Sequence, residues 1–82
     1  MKPKKKLRKP SQPLIETLAD NIRRLRRERE LSQEELASLC GLHRTYVGSV
    51  ERGERNITLG SLELFAAALD VTAIDLLTRE DA

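Results

Sequence analysis

The stretch from Ser32 to Gly53 constrains the fold more than any other part of the sequence. Ser32 is followed three residues later by Glu35, the spacing of a capping box, in which both side chains satisfy backbone N–H groups at a helix start. Gly41 can end that helix by taking a left-handed conformation. Only two or three residues then precede the next helix, which ends at Gly53. The pattern predicts two short helices joined by a tight turn.

Small and apolar residues predict how these two helices pack. Ala37 stands where the helices must approach each other closely at a steep angle, and Val47 and Val50 give the second helix an inner face. In such a helix-turn-helix the second helix lies in the major groove of DNA and presents its N-terminal residues to base edges. We expect this unit to span about 33–52.

Apolar periodicity and capping residues predict three further helices. The first runs from Leu14 to about Arg29 on a stripe formed by Ile15, Leu18, Ile22 and Leu25. Thr58 can cap a fourth helix that ends at Asp70. Thr72 and Asp75 form a second capping box, which opens a short fifth helix. The sequence therefore predicts one all-α domain of five helices, without strands, over residues 14–82.

Charge is distributed very unevenly along the chain. Fifteen basic and thirteen acidic side chains give a net charge of +2. Six of the basic ones stand in the first ten positions, where there is no acid: Lys2, Lys4, Lys5, Lys6, Arg8 and Lys9. Residues 11–82 hold nine basic and thirteen acidic side chains, a net −4. Because residues 1–13 contain all three prolines and lack apolar periodicity, we expect a disordered basic arm.

Several classes of protein are disfavoured by the composition. The single cysteine, Cys40, precludes an intramolecular disulfide and a zinc site of the CxxC type, and its apolar helical position predicts a buried structural thiol. The chain shows no nucleophile–base pair, metal-ligand cluster or phosphate loop, so we expect neither an enzyme nor a cofactor. No apolar run approaches 18 residues and no secretory cleavage site is present, which predicts a cytoplasmic protein without a membrane partner.

The residues of the predicted helix-turn-helix resemble a known family. The run from Leu31 to Ala37, followed by Gly41 and by Val50 to Gly53, is similar to the lambdoid repressor and Cro class, also called Xre-like. This resemblance extends roughly from Leu18 to Leu77. It implies the five-helix lambda-repressor-like DNA-binding fold.

Within that class, the stretches Arg44 to Gly48 and Glu51 to Thr58 resemble the controller proteins of restriction–modification systems. The resemblance implies a dimer that binds a double-stranded operator upstream of its own gene and regulates that promoter. Controllers of this kind time endonuclease expression by activating and then repressing.

The family pattern implies base contacts from the third helix. It places Arg44, Thr45 and Ser49 on the groove-facing side. Arg44 can fork onto guanine O6 and N7, and Thr45 can pair with a base edge or lie against a thymine methyl group. Tyr46 can contact a base, a sugar or a phosphate, or can pack against the body of the domain. Gly48 leaves no side chain, so the helix can sit deep in the groove.

Residues that flank the third helix are candidates for phosphate contacts: Gln33, Arg52, Arg55 and Asn56. For the two arginines the alternative is ordinary solvation near Glu54. His43 occupies the N-cap, where relatives usually carry Asp, Ser or Thr. Since histidine is a poor cap, either the helix start frays or His43 contacts a phosphate.

Two further positions follow from the resemblance. Arg26 and Glu51 stand where the class pairs an arginine with a glutamate across two helices, which predicts an ion pair that orients the recognition helix. Glu30 stands where relatives often carry the glycine that ends the first helix. Its presence costs about 1 kcal/mol and leaves the shape of the first loop open.

A domain of this size reads too few base pairs to be selective alone, so we expect a homodimer on a two-fold operator. The candidate interface is Leu64, Ile74 and Leu77, with completion of the monomer core as the alternative. Glu34, at the start of the second helix, either presents acid to RNA polymerase or simply favours the helix N-terminus.

Two questions stay open at this point. The basic arm either wraps the duplex, as in some phage repressors, or merely aids solubility. The rival function is an antitoxin-type protein-interaction module with secondary DNA binding. Antitoxins generally carry an added toxin-binding segment, whereas this chain stops at Ala82 just after the fifth helix, which disfavours that reading.

Overall fold

The computed structural model describes residues 8–79 and confirms the all-α fold, since that range contains helices and no strand. Its five helices are α1 Gln12–Glu28, α2 Gln33–Cys40, α3 Arg44–Glu51, α4 Leu59–Ala68 and α5 Ala73–Leu77. Most of the predicted basic arm, residues 1–7, lies outside the described residues, as do residues 80–82.

Helix α1 begins two residues earlier than the sequence predicted. Ser11 is extended, and its hydroxyl accepts a hydrogen bond from the Leu14 N–H at 3.4 Å. Pro13 lies in the first turn of the helix, where a backbone N–H has no partner within the helix and its loss costs nothing. The boundary of the arm at residue 13 was therefore wrong, because this proline belongs to a helix start rather than to an irregular segment.

The predicted capping residues all lie at helix starts. In the box at α2, the Ser32 hydroxyl accepts from the Glu35 N–H at 3.0 Å, and the Glu35 carboxylate accepts from the Ser32 N–H at 2.8 Å. Thr72 and Asp75 repeat this arrangement at α5, and Thr58 caps α4. The backbone bond from Ser32, followed by its hydroxyl, lowers the pKa of the Glu35 carboxyl.

Helices α1 to α4 end in the same way. Each is followed by a residue in the left-handed region: Glu30 (φ 54°), Gly41 (φ 69°), Gly53 (φ 74°) and Asp70 (φ 58°). The N–H of the next residue then donates to the carbonyl five positions back, at 2.9 to 3.0 Å. This is the Schellman motif. The first loop, whose shape the sequence left open, therefore follows the same motif as the glycine-ended helices although position 30 carries a glutamate.

The core lies among the five helices and consists mainly of aliphatic side chains around a single phenylalanine. Six of its residues are fully buried: Ile22, Leu36, Val47, Phe65, Leu69 and Leu76. Cys40 is buried as predicted, with its sulfur 3.7 Å from the Leu64 carbonyl oxygen. Burial raises the pKa of the Cys40 thiol, so it stays protonated and unreactive at neutral pH.

A buried polar residue that the sequence reasoning missed holds α5 in place. Asn21 on α1 is 4% exposed, and its amide nitrogen donates to the carbonyls of Leu76 and Thr78 at 2.8 and 2.9 Å. These are carbonyl groups at the end of α5, which have no partner within the helix. Asn21 therefore fixes the short last helix against α1.

The three candidate interface residues are not part of the core. Leu64 is 43% exposed, Ile74 74% and Leu77 37%. The alternative that they complete the monomer core is therefore wrong. Over residues 8–79, none of the helices has the length and apolar character needed to cross a membrane.

Candidate nucleic-acid interface

The start of α3 is capped by His43. Its imidazole Nδ1 accepts a hydrogen bond from the Thr45 N–H at 3.1 Å, and its backbone is extended, as an N-cap requires. The expectation that His43 is a poor cap was wrong, because an imidazole nitrogen can accept a hydrogen bond. Of the two alternatives left open by the sequence, the frayed helix start is contradicted, and the phosphate contact stays a prediction. The other nitrogen, Nε2, then carries the proton and can donate to a phosphate.

Arg44 and Thr45, the first two residues of α3, are both exposed. With Gly48 from the same helix they line one shallow depression, whose remaining lining comes from Gln33, Glu34 and Arg52. The N-terminal ends of α2 and α3 thus open onto a single surface. This is the outward projection of two side chains that the helix-turn-helix prediction required.

Arg44 is paired with a residue on the other helix of the motif. Its Nη1 lies 2.7 Å from Glu34 Oε2, and the two side chains are 68% and 70% exposed. Sequence reasoning missed this pair, because the residues are ten positions apart and meet only across the turn. A contact between Glu34 and RNA polymerase stays a prediction.

Ser49 does not face the groove, which corrects the sequence prediction. It is 4% exposed, and its hydroxyl donates to the Tyr46 carbonyl at 2.7 Å. The same hydroxyl accepts from Arg55 Nε at 2.9 Å. The chain that follows α3 returns over this end of the helix and covers Ser49. The role of Ser49 is therefore to position Arg55.

Tyr46 and Arg55 lie against each other at the side of α3. The Tyr46 ring is half-buried and packs against the core, as the structural alternative proposed. The guanidinium carbon of Arg55 lies 5.4 Å from the ring centroid, within the range of a cation–π contact. Arg55 is therefore held by both Ser49 and Tyr46 while remaining exposed, and Asn56 beside it is exposed too.

Arg52 is held by the carboxylate of Glu54, with Nε–Oε2 and Nη2–Oε1 distances of 3.0 and 3.2 Å. The hydrogen bond from Arg52 lowers the pKa of the Glu54 carboxyl. Gly48 is buried, and a Cβ there would come within 3.2 Å of the Arg52 guanidinium and 3.4 Å of the Gln33 amide oxygen. Gly48 thus makes room for these two side chains in the depression that it helps to line.

The predicted ion pair between α1 and α3 is present. Arg26 Nε lies 2.7 Å from Glu51 Oε2, and Nη2 lies 3.0 Å from Oε1. The Gln33 amide also donates to Glu51 Oε1 at 3.0 Å. Gln33 is exposed at the start of α2. Its side chain is oriented by the buried pair beneath it.

Two short helices, a left-handed glycine between them and exposed polar residues at the start of the second define a helix-turn-helix protein. Residues 22–76, more than half of the chain, match the helix-turn-helix family HTH_3. The chain belongs to this family of DNA-binding transcription regulators.

Known relatives point to a narrower group. The chain is 55% identical to control protein C.SmaI of Serratia marcescens over 79% of this chain and 77% of that protein. It resembles the crystal structure of a hypothetical transcription factor from Neisseria with a TM-score of 0.79 and 47% identity, covering 90% of this chain and 86% of the other. The controller protein C.Esp1396I, solved as a tetramer with its natural 35-base-pair operator, has a TM-score of 0.71 and 36% identity, covering 77% and 83%.

Proposed function

We propose that this protein is a controller-type regulator that binds an operator upstream of its own gene as a dimer. The observation that carries the proposal is the exposed position of Arg44 at the N-terminal end of α3. A guanidinium there can donate two parallel hydrogen bonds to guanine O6 and N7 in the major groove. Thr45, on the same surface, contacts a neighbouring base edge.

The residues around α3 contact phosphates in this proposal: Gln33, His43, Arg52, Arg55 and Asn56. Three features support these roles. Gln33 and Arg52 line the same depression as Arg44. The imidazole that caps α3 has Nε2 left as a donor, because Nδ1 accepts from the backbone. Arg55 is held in one orientation by Ser49. Such contacts set the register of the protein on the duplex and carry little sequence information.

Footprinting on the chain's own upstream region tests the proposal. Arg44→Ala should abolish the specific footprint and leave weak, sequence-independent binding. Arg27→Ala is the matched control, since it removes an exposed arginine from α1, and it should leave the footprint intact. A footprint that survives Arg44→Ala unchanged would refute direct readout by this residue.

The dimer interface in the proposal consists of Leu64, Ile74 and Leu77, three exposed apolar side chains on α4 and α5. The relative C.Esp1396I is a tetramer on its operator, which supports assembly of this chain on DNA. Sedimentation at micromolar concentration should give a dimer, and Ile74→Lys should shift it to monomer. Leu39→Lys, at another exposed apolar position, should not. If the wild type sediments as a monomer both with and without operator DNA, the dimer is contradicted.

The basic arm takes part in binding in this proposal. Removal of residues 1–10 takes away six positive charges. Each phosphate contact contributes about 0.9 to the slope of log K against log salt concentration. The truncated protein should therefore bind operator more weakly and with a slope reduced by several units. An unchanged slope means that the arm does not touch DNA.

A further inference from the structure

Two carboxylates lie on the surface proposed to face DNA, and each holds an exposed arginine. Glu34 pairs with Arg44 at 2.7 Å across the helix-turn-helix, and Glu54 pairs with Arg52 at 3.0 Å. A carboxylate at a DNA interface repels phosphates, so its presence needs a reason. With both arginines neutralised, this surface attracts a phosphate backbone much less than its arginines alone would.

The pair of Glu34 with Arg44 differs from the other because Arg44 is the proposed base reader. Glu34 lies in the first turn of α2 and Arg44 in the first turn of α3. Both line the depression that also contains Thr45. A duplex that docks on α3 therefore meets the intact pair first, whatever its sequence.

From this geometry we propose that Glu34 determines the base selectivity of Arg44, an inference that rests on the base contact proposed above. Exchanging the carboxylate for a single phosphate gains Arg44 little, because one anionic oxygen replaces another. Guanine offers two acceptors in a fixed fork, whereas an ion pair between two exposed side chains is weak. Arg44 therefore leaves Glu34 to bind guanine in the operator. On other sequences Arg44 stays paired with Glu34. Glu34 lowers non-specific binding more than operator binding.

Binding of Glu34→Gln to its operator and to a scrambled duplex, over a series of salt concentrations, tests the inference. Glutamine keeps the length of the side chain and removes its charge. Free Arg44 should then add one phosphate contact on the scrambled duplex, which steepens the salt slope by about 0.9. Affinity for the scrambled duplex should rise severalfold and affinity for the operator less. The ratio of the two affinities should fall by about three- to tenfold.

Two controls separate this effect from a general change in charge. Glu63→Gln removes an exposed carboxylate from α4 and should leave the affinity ratio as in the wild type. The double variant Arg44→Ala, Glu34→Gln should show no steeper slope on scrambled DNA than Arg44→Ala alone. A slope change that persists without Arg44, or a ratio equal to that of Glu63→Gln, overturns the inference.

The failure of the inference can be told apart from the failure of the proposed function. If Arg44→Ala weakens operator binding but Glu34→Gln keeps the wild-type ratio and slope, the base contact stands and only the role of Glu34 is refuted. If Arg44→Ala leaves operator binding unchanged, the base contact itself is refuted, and the inference with it.

Discussion

Arg26 holds Glu51 through two parallel hydrogen bonds of 2.7 and 3.0 Å, and this pair connects α1 to the last residue of α3. Both side chains are largely removed from solvent, with 12% and 2% of their surface exposed. Glu51 also accepts from Gln33 at the start of α2. The orientation of α3 relative to both preceding helices therefore depends on one buried carboxylate.

Loss of one partner of this pair should destabilise the protein strongly. Arg26→Met leaves the Glu51 carboxylate buried without its cation, which typically costs about 3–5 kcal/mol. Urea unfolding at neutral pH measures the loss. Arg27→Met changes an exposed neighbour on the same helix and should stay within about 0.5 kcal/mol of the wild type.

The double variant Arg26→Met, Glu51→Leu removes both charges and should recover much of that stability, since no unpaired charge stays buried. Its operator binding should nevertheless be weaker than that of the wild type, because Gln33 loses the carboxylate that orients it. Single-variant stability equal to that of Arg27→Met would show that the pair contributes little.

Replacement of the left-handed glutamate after α1 should stabilise the fold. Glu30 has φ 54°, a conformation that is strained for a residue with a Cβ and open to glycine. Glu30→Gly should raise the free energy of unfolding by about 1 kcal/mol. Ala67→Gly, at an exposed position inside α4, should lower it by about 1 kcal/mol. If Glu30→Gly also lowers the free energy of unfolding, left-handed strain at position 30 does not destabilise the wild type.

The cap at the start of α3 should depend on an acceptor at position 43. His43→Ala leaves the Thr45 N–H without its side-chain partner and should cost about 1 kcal/mol, the usual effect of losing an N-cap. His43→Asn restores an acceptor and should keep wild-type stability. Thermal unfolding of the three proteins checks this, and equal midpoints for the alanine and asparagine variants would contradict it.

The capping box at α2 should make the free energy of unfolding vary with pH in the acidic range. Hydrogen bonds from Ser32 lower the pKa of Glu35 below its ordinary value of 4.5. A carboxyl whose pKa is lowered in the folded state stabilises the protein at pH values above its ordinary pKa. This contribution is lost as the pH falls through the pKa of the folded state. Glu35→Gln keeps an acceptor but does not titrate.

The wild type should therefore exceed Glu35→Gln in stability at pH 7, and the difference should shrink below about pH 4.5. Urea unfolding of both proteins between pH 7 and pH 3 measures it. The titration of Asp75 is common to both proteins and cancels. A difference that does not change with pH would rule out the carboxylate as its source.

The helices and their starts were predictable from the sequence because the signals act over short distances. A cap such as Ser32 acts on an N–H three residues away, and an apolar stripe needs only the period of a helix. The start of α1 was misplaced because Pro13 suits both a helix start and an irregular segment. The Arg26–Glu51 pair was predicted from the resemblance, because no local rule joins residues 25 positions apart.

The sequence by itself thus determined five helices, a helix-turn-helix and an arginine at the start of the recognition helix. Tertiary structure alone decided that Ser49 is buried beneath the returning chain, that Glu34 holds Arg44 and that Asn21 anchors α5. The physical reason is that each of these depends on the distance between groups that lie far apart in the sequence or on different elements. Such distances are set only when the helices pack, and they determine which polar groups remain available to a ligand.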